Sequence, residues 1–317
     1  MKELPNGLLN VAKPEGVTSR DVVNRVLWLL RRCTGLRRIK VGHCGTLDPM
    51  AVGVLVIGVG PSTRLVTRVQ QYRKEYRGSF LLGRTTTTDD ATGETIREVA
   101  IDPGRFSESS IRELLTEFSG RISQVPPIFS AVHVNGKRAY ELARKGREVE
   151  IAPRTVEVYS IDVTNFSAGM QPEFDLNIEC GSGTYIRSLG RDIGQRLGCG
   201  ATMTKLLRTG IGPFTIQQAV PLGELDQDNI VAHLQAPAMA VHHLPLRVMN
   251  EEETLRILNG RDILRGDIQP PQLHPHATSD AGAVALMNTS DVLVAIAVTG
   301  RVPGTLKPDT VFYRSLD

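Results

Sequence analysis

The sequence has few cysteines, no long apolar run and little net charge, and each shortage excludes a class of protein. The four cysteines, Cys33, Cys44, Cys180 and Cys199, form no C-x-x-C pair, so neither a zinc site nor a redox motif is predicted. Cysteines this sparse are typical of a reducing compartment, and we expect a cytoplasmic protein. The longest apolar stretch, residues 51–59, contains glycine and is too short to cross a membrane.

The N-terminus is not predicted to be a secretory signal, because residues 1–10 include Glu3, Pro5 and Asn6 and lack an apolar core. The length of 317 residues favours two domains. The net charge of +3, from 37 basic and 34 acidic residues, does not by itself indicate a nucleic-acid-binding protein.

Basic residues are nevertheless concentrated in two parts of the sequence. Between residues 20 and 40, Asp21 is the only acid among seven basic residues: Arg20, Arg25, Arg31, Arg32, Arg37, Arg38 and Lys40. A second group, with Glu75 as its only acid, contains Arg64, Arg68, Arg73, Lys74 and Arg77. A local excess of this kind attracts a phosphate backbone even when the whole chain is nearly neutral. A solvated helix face is the alternative interpretation.

Periodicity and turn residues predict a mixture of helices and strands without a regular βαβ order, which favours the α+β class. Helices are predicted at residues 19–33 with Ser19 as N-cap, 107–120 with Gly120 as C-cap, 139–145 and 184–197. Strands are predicted at residues 53–59, 76–82 and 174–180, and a loop at residues 42–49. After an irregular segment at residues 217–244, a helix capped by Asn250 and strands at residues 283–286, 292–298 and 311–313 predict a small β-rich domain.

Asp48 is the first candidate for chemistry, because it lies in a short loop between glycines and a proline. Such a loop can hold a functional side chain against the backbone of a ligand. Taken alone, the loop leaves a capping or solvated aspartate as the alternative.

Several short motifs follow one another along the chain. Residues 41–55 include GHCGTLDP, and the others are KPEGVTS at 13–19, KEY at 74–76, LGRTTTTDDATG at 82–93, PPIFSA at 126–131, CGSGTYIR at 180–187 and LLRT at 206–209. These motifs resemble those of TruB-type pseudouridine synthases, and GHCGTLDP is similar to the catalytic signature of that family. Together the motifs cover roughly residues 10–215 in the family's order.

The resemblance implies a mixed β-sheet flanked by helices, with a catalytic domain at residues 1–244 that contains the complete active site. Residues 304–312, GTLKPDTVF, resemble the closing motif of a PUA-type RNA-binding domain. Residues 245–317 are therefore expected to be a PUA-like domain that adds RNA affinity but little chemistry. A generic β-barrel appendage is the alternative.

The resemblance also implies an activity, the isomerisation of one uridine to pseudouridine in the T loop of tRNA, at position 55. Asp48 would start cleavage of the glycosidic bond by attacking the ribose or the base. Tyr76 would stack on the flipped uracil, and Arg187 would pair with Asp48. His43 would insert into the T loop.

Further residues would complete the substrate-binding set: Lys13, Leu206, Tyr185, Asp90 and Arg208. The reaction needs no cofactor and no metal. The expected partner is the T-arm stem-loop of tRNA, with no membrane and a monomeric protein.

Three positions depart from the family pattern. Cys44 stands where threonine is usual, and a buried structural thiol is favoured over a nucleophile. His133 and Leu207 replace a common lysine and arginine, which can weaken phosphate contacts. His274 and His276 lie in a proline-rich stretch, where a solvated loop is favoured over a metal site.

Two other functions stay open at this stage. One is a non-catalytic factor that folds tRNA, and the other is the catalytic subunit of a guide-RNA pseudouridylation particle. The presence of Asp48, Tyr76 and Arg187 together disfavours the first. The absence of long lysine-rich tails disfavours the second.

Overall fold

The computed structural model describes residues 4–130, 132–134, 136–143, 150–271 and 282–312, with the backbone alone for Tyr140 and Ala143. His274, His276, Tyr313 and the end of the predicted helix at 139–145 lie outside these residues. The chain divides into two compact units. Unit 1 contains Met1–Arg73 and Gly210–Asp317, and unit 2 contains Lys74–Thr209. The units do not coincide with the predicted domains 1–244 and 245–317, whose boundary stays a prediction.

In the described residues the α-helices are α1 Ser19–Thr34, α2 Val66–Gln71, α3 Glu108–Leu115, α4 Ala139–Ala143, α5 Ile186–Arg196 and α6 Glu251–Leu258. Short 3-10 helices lie at Gly60–Leu65, Thr116–Phe118, Ile216–Gln218, Leu222–Glu224 and Pro237–Val241. None of the helices in this described part of the chain is both long and apolar enough to cross a membrane.

The strands of the first half are β1 Gly7–Lys13, β2 Val41–His43, β3 Val52–Val59, β4 Lys74–Leu82, β5 Arg84–Thr86, β6 Thr95–Glu98, β7 Gly120–Gln124, β8 His133–Val134 and β9 Lys137–Arg138. Those of the second half are β10 Arg154–Ser167, β11 Glu173–Cys180, β12 Ala201–Ile211, β13 Phe214–Thr215, β14 Val220–Pro221, β15 Leu246–Val248, β16 Ile263–Leu264, β17 Val284–Met287, β18 Leu293–Thr299 and β19 Thr305–Val311.

The sheet of unit 1 is built around β1 and β3. These two strands pair antiparallel along their whole length, while β14 runs parallel to β1 and β2 runs antiparallel to β3. Helix α1 covers one face with the apolar stripe that its spacing predicts, and its buried residues pack with Leu9, Val11, Leu55 and Ile57 of the sheet.

The N-cap of α1 differs from the prediction. Thr18, not Ser19, caps the helix, and it forms a capping box with Asp21. Ser19 is buried, and its hydroxyl instead binds the main chain of Leu47, accepting from its N–H at 2.9 Å and donating to its carbonyl at 3.0 Å. A contact over 28 residues leaves no local pattern that could predict it.

The C-terminal part of unit 1 is a five-stranded sheet in the order β15-β17-β18-β19-β16. Helix α6 begins at the predicted cap, because the Asn250 side chain accepts from the N–H of Glu253 at 2.9 Å. One face of the sheet packs with α6 around Ile257 and Leu306. The other face, through Met287 and Ile296, joins the apolar core that contains Leu8. The β-rich C-terminal region is thus confirmed, and its PUA-like character stays a prediction.

The sheet of unit 2 has the order β12-β4-β11-β10-β7. Strands β4 and β11 pair antiparallel with Tyr76 opposite Ile178, and β10 pairs with both β11 and β7. The predicted helix at 107–120 is shorter than expected, since Gly120 begins β7 instead of capping the helix. A mixed sheet flanked by helices confirms the predicted fold class.

Helix α5 packs against β4 at Gly190, where there is no room for a side chain. A Cβ added at Gly190 would lie 2.4 Å from Cδ1 of Phe80. Phe80 shares a face of β4 with Tyr76, because side chains alternate along a strand. Gly190 therefore sets the distance between the helix that begins beside Arg187 and the strand that carries Tyr76.

We expect Gly190→Ala to lower the free energy of unfolding by about 1–3 kcal/mol, as overpacking of a filled interior does. Gly223→Ala is the matched control, since a Cβ there has nothing within 4 Å. Its effect should stay within about 0.5 kcal/mol. Denaturant titration of both variants measures the difference, and equal losses would contradict the close approach.

Candidate active site

The loop that carries Asp48 connects β2 to β3 in unit 1. Residues 42 and 43 were predicted as loop but extend β2, with Gly42 opposite Gly58 and His43 opposite Ile57. The loop therefore begins at Cys44, whose N–H donates to the carbonyl of Val56 at 2.8 Å. Cys44 is fully buried, in agreement with a structural thiol.

The main chain is held on both sides of Asp48. Before it, Leu47 is bound by the Ser19 hydroxyl. After it, the Pro49 carbonyl accepts from the N–H of Gly16 at 2.8 Å and from Nζ of Lys13 at 3.2 Å. The main chain is therefore held in place immediately before and after the partly buried Asp48.

Lys13 lies beneath this loop and is 1% exposed. Its ammonium group also donates to the carbonyls of Pro14 at 2.9 Å and Val17 at 2.8 Å. Lys13 thus makes three charge-assisted hydrogen bonds to main-chain oxygens, and these bonds hold the loop in place. His43 stands at the start of the loop, where its Nδ1 accepts from the N–H of Gly45 at 3.4 Å.

Arg187 is the centre of the candidate site in unit 2. It is 5% exposed and lies in the first turn of α5. It donates from Nη1 to the carbonyl of Thr88 at 2.9 Å and from Nη2 to that of Phe129 at 3.0 Å. Its Nε lies 3.7 Å from Oδ2 of Asp90. The guanidinium of Arg187 therefore connects two loops that carry family motifs. Its predicted pairing with Asp48 stays a prediction.

Asp90 is buried and organises its own turn. Its Oδ1 accepts from the hydroxyl of Thr88 at 2.7 Å, and from the hydroxyl and N–H of Thr92 at 2.6 and 2.9 Å. These bonds leave Oδ2 on the side of Arg187. The structure brings Asp90 and Arg187 together, as a buried pair that fixes the shape of the loop.

Three side chains that sequence analysis did not single out act here. They attach the loop of Asp90 and the segment after β7 to α5. Gln124 binds both the N–H and the carbonyl of Tyr185, at 2.8 and 3.1 Å. Ser188 and Arg191 both donate to the carbonyl of Val125 at 2.8 Å. Arg191 also forms an ion pair with Asp89 at 2.9 Å, and burial raises the pKa of that carboxyl group.

The remaining predicted residues of unit 2 lie on its strands and at the start of α5. Tyr76 on β4 is 8% exposed, and Leu206 and Arg208 on β12 are 6% and 1% exposed. Burial this deep is unusual for arginine and does not suit an open phosphate contact, so Arg208 acts within the protein interior. Tyr185 is half-buried and precedes α5 as its N-cap residue.

Lys74 and Cys180 face each other across β4 and β11 beside Arg208. Burial lowers the pKa of Lys74 from 10.5 to about 8 and raises the pKa of Cys180 from 9.0 to about 11. The charge of Arg208 lowers the pKa of Lys74 further. At neutral pH this interior therefore holds two cations close to a neutral thiol.

The pKa of Lys74 predicts a pH dependence of stability. Between pH 8 and 9 the unfolded chain, with a lysine pKa of 10.5, binds more protons than the folded chain, so the free energy of unfolding rises with pH. Above pH 9 Cys180 opposes this trend, because its thiol loses its proton first in the unfolded chain. Denaturant unfolding should show the rise in the unchanged protein and a flatter curve in Lys74→Met. Parallel curves would contradict the assignment.

Comparison with known proteins places these sites in a family. The model described as "TruB family pseudouridylate synthase (N terminal domain)" matches residues 31–186. The model described as "tRNA pseudouridylate synthase B C-terminal domain" matches residues 187–246. A protein of Prochlorococcus marinus named tRNA pseudouridine synthase B is 39% identical, over 98% of this chain and 99% of its own. A protein of Thermobifida fusca with the same name is 43% identical, over 82% and 87%.

Solved structures agree with the sequence comparison. A chain in the crystal structure of a Cbf5-Nop10-Gar1 complex is 29% identical with a TM-score of 0.70, over 98% of this chain and 86% of that one. A chain in an H/ACA RNP bound to a substrate RNA containing 2'-deoxyuridine is 26% identical with a TM-score of 0.69, over 98% and 86%. Two family models, relatives near 40% identity and the shared fold lead to one conclusion. The chain belongs to the TruB family of pseudouridine synthases.

Proposed function

We propose that this protein isomerises one uridine of the tRNA T loop, at position 55, to pseudouridine. The observation that carries the proposal is the clamped loop of Asp48. A carboxylate that attacks a sugar or a base must be presented at a fixed position. Ser19 and Lys13 provide this by holding the peptides on either side of Asp48. The relatives named tRNA pseudouridine synthase B support tRNA as the substrate.

The chemistry requires the target nucleotide to leave the stack, because its glycosidic bond is out of reach inside a folded loop. Tyr76 is proposed to stack on the extruded uracil, a contact worth about 1–3 kcal/mol. Its hydroxyl is a candidate for removing the proton at C5. His43 is proposed to occupy the space left in the T loop.

The reaction exchanges one bond to the ribose for another. Asp48 is proposed to start cleavage of the bond between N1 of uracil and C1′ of the ribose. The detached uracil rotates and rejoins through C5, and the proton at C5 is released as N1 gains one. Because no electron is transferred and no water is consumed overall, we propose that neither a cofactor nor a metal takes part.

Arg187 is proposed to pair with the Asp48 carboxylate and to orient it, because a planar guanidinium binds a carboxylate in a fixed geometry. Its bonds to the carbonyls of Thr88 and Phe129 support this role, since they fix the guanidinium plane. Lys13 and Asp90 are proposed to shape the two loops. Tyr185 and Leu206 are proposed to contribute to the substrate-binding region, which Arg208 is proposed to support from the protein interior. We also propose that the protein acts as a monomer in the cytoplasm.

A minimal-substrate experiment tests the proposal. Sequence-specific RNA recognition usually targets loops with splayed bases. A T-arm hairpin should therefore be converted by the pure protein without any guide RNA, whereas a linear strand of the same sequence should react at least about tenfold more slowly. Equal rates would contradict recognition of a preformed loop. Conversion only after a guide RNA is added would favour the guided-particle alternative.

A further inference from the structure

The outward face of α1 and the loop after it form a strongly basic surface, called here the basic face. Its members are Arg20, Arg25, Trp28, Arg31, Arg32, Arg37, Arg38 and Lys40, all of them exposed. Asp21 is the only acid within it, and its carboxylate accepts from the N–H and hydroxyl of Thr18 at 2.9 and 2.6 Å. The seven cations outnumber this one carboxylate, so the surface potential is positive.

Trp28 is the only tryptophan of the chain and is 47% exposed in the middle of this surface. The guanidinium of Arg25 lies 4.7 Å from its ring centroid, and that of Arg32 lies 5.1 Å away. These cation–π contacts hold both guanidinium groups in place before a partner binds. Such preorganisation lowers the entropy cost of binding an anion.

Within the described part of the chain, the basic face keeps its positive charge. Elsewhere Arg112, Arg191 and Arg196 form ion pairs with carboxylates. Among the described residues, no carboxylate forms an ion pair with any cation of the basic face. Arg32 has one hydrogen bond, to Oε1 of Gln227 at 3.3 Å. The adjacent Asp226 directs its carboxylate to the N–H groups of its own turn.

The position of α1 relates this surface to the chemistry. The helix begins at Ser19, whose hydroxyl holds Leu47 next to Asp48. Its 16 residues extend away from the catalytic loop for about 24 Å at 1.5 Å per residue. An RNA whose target base lies at Asp48 must continue beyond the catalytic loop of the protein. If it continues along α1, the cations of the basic face lie beside it.

We propose that the basic face is a second RNA-binding surface, which binds backbone phosphates of the tRNA outside the target loop. The inference rests on the proposed tRNA substrate. An anionic membrane is a weaker partner, because the aliphatic side of α1 is buried in the protein core and cannot enter a bilayer. Closely spaced cations on an exposed surface suit the positioning role of phosphate contacts.

The single tryptophan provides the first readout. Titration of the protein with whole tRNA should change the emission of Trp28 saturably, at the concentrations at which binding is seen by an independent method. Binding without any change at Trp28 would overturn the proposal. So would a change produced by anionic vesicles and not by tRNA.

Charge reversal provides the second readout. The double variant Arg31→Glu and Arg38→Glu should weaken tRNA binding at least about tenfold and lower its salt slope by about two units, one for each lost phosphate contact. The control is Arg97→Glu with Arg121→Glu, which makes the same charge change at exposed positions outside the basic face. It should bind nearly as the unchanged protein does.

An equal loss in both double variants would show a general charge effect and overturn the proposal. Binding is measured without turnover, so the result can be read even if the protein makes no pseudouridine. Failure of the proposed function and failure of this inference are therefore distinguishable.

Discussion

Asp48→Asn is expected to abolish pseudouridine formation while tRNA binding stays nearly unchanged. The amide keeps the size of the side chain but cannot act as an ionised nucleophile. We expect turnover to fall by at least about 1,000-fold, as removal of a catalytic nucleophile does in other enzymes. Affinity should survive, because phosphate contacts supply most of it.

Single-turnover assays at saturating protein, with binding measured separately, test this prediction. Asp102→Asn is the matched control, since Asp102 is exposed on a loop of unit 2 and is expected to have no part in the reaction. The control should retain normal rates. A folded Asp48→Asn protein that still forms pseudouridine would remove Asp48 from the mechanism.

A chain that ends at Leu244 is expected to lose the stable fold of unit 1, and turnover with it. The residues removed include six buried members of one apolar core: Ala283, Ala285, Met287, Leu293, Ile296 and Phe312. The same core contains Leu8, Val54 and Cys44, and Cys44 begins the loop of Asp48. Truncation would expose these side chains to water, at a cost of about 25 cal/mol per Å².

This packing changes the expectation that the active site is complete without the C-terminal residues. Two point variants test it in the full chain. Ile296→Ala should cost about 2–5 kcal/mol and weaken hydrogen-exchange protection in β3. Leu306→Ala, on the α6 side of the C-terminal sheet, should weaken protection mainly within that sheet. A truncated chain with normal unfolding and single-turnover rates would contradict the shared core.

The sequence predicts those parts of the fold in which burial follows a regular period. The stripe of α1 and the alternation in β11 are both present in the structure. The 14-residue strand β10 was missed, because it is largely exposed and polar. Register shifts after Val158 and Val163 further disturb its alternation. Its apolar alternation is confined to two short stretches, Val156 with Val158 and Ile161 with Val163.

The candidate site shows the same limit. Asp48 and Arg187 can be found by their motifs, and so can Lys13 and Asp90, which help to position them. Other positioning side chains cannot be found in this way. Ser19 reads as a helix cap, yet it binds a main chain 28 residues away. Gln124 and Arg191 act on peptides 61 and 66 residues away, so the positioning network becomes visible only in three dimensions.

The most direct test of the central claim is to map pseudouridine at single-nucleotide resolution in an unmodified tRNA transcript. The transcript is incubated with the pure protein, with no guide RNA, cofactor or metal added. We expect one product, at the T-loop uridine of position 55, and none in a parallel reaction with Asp48→Asn. Product at other uridines only, or no product from a folded protein that binds the transcript, would contradict the assignment.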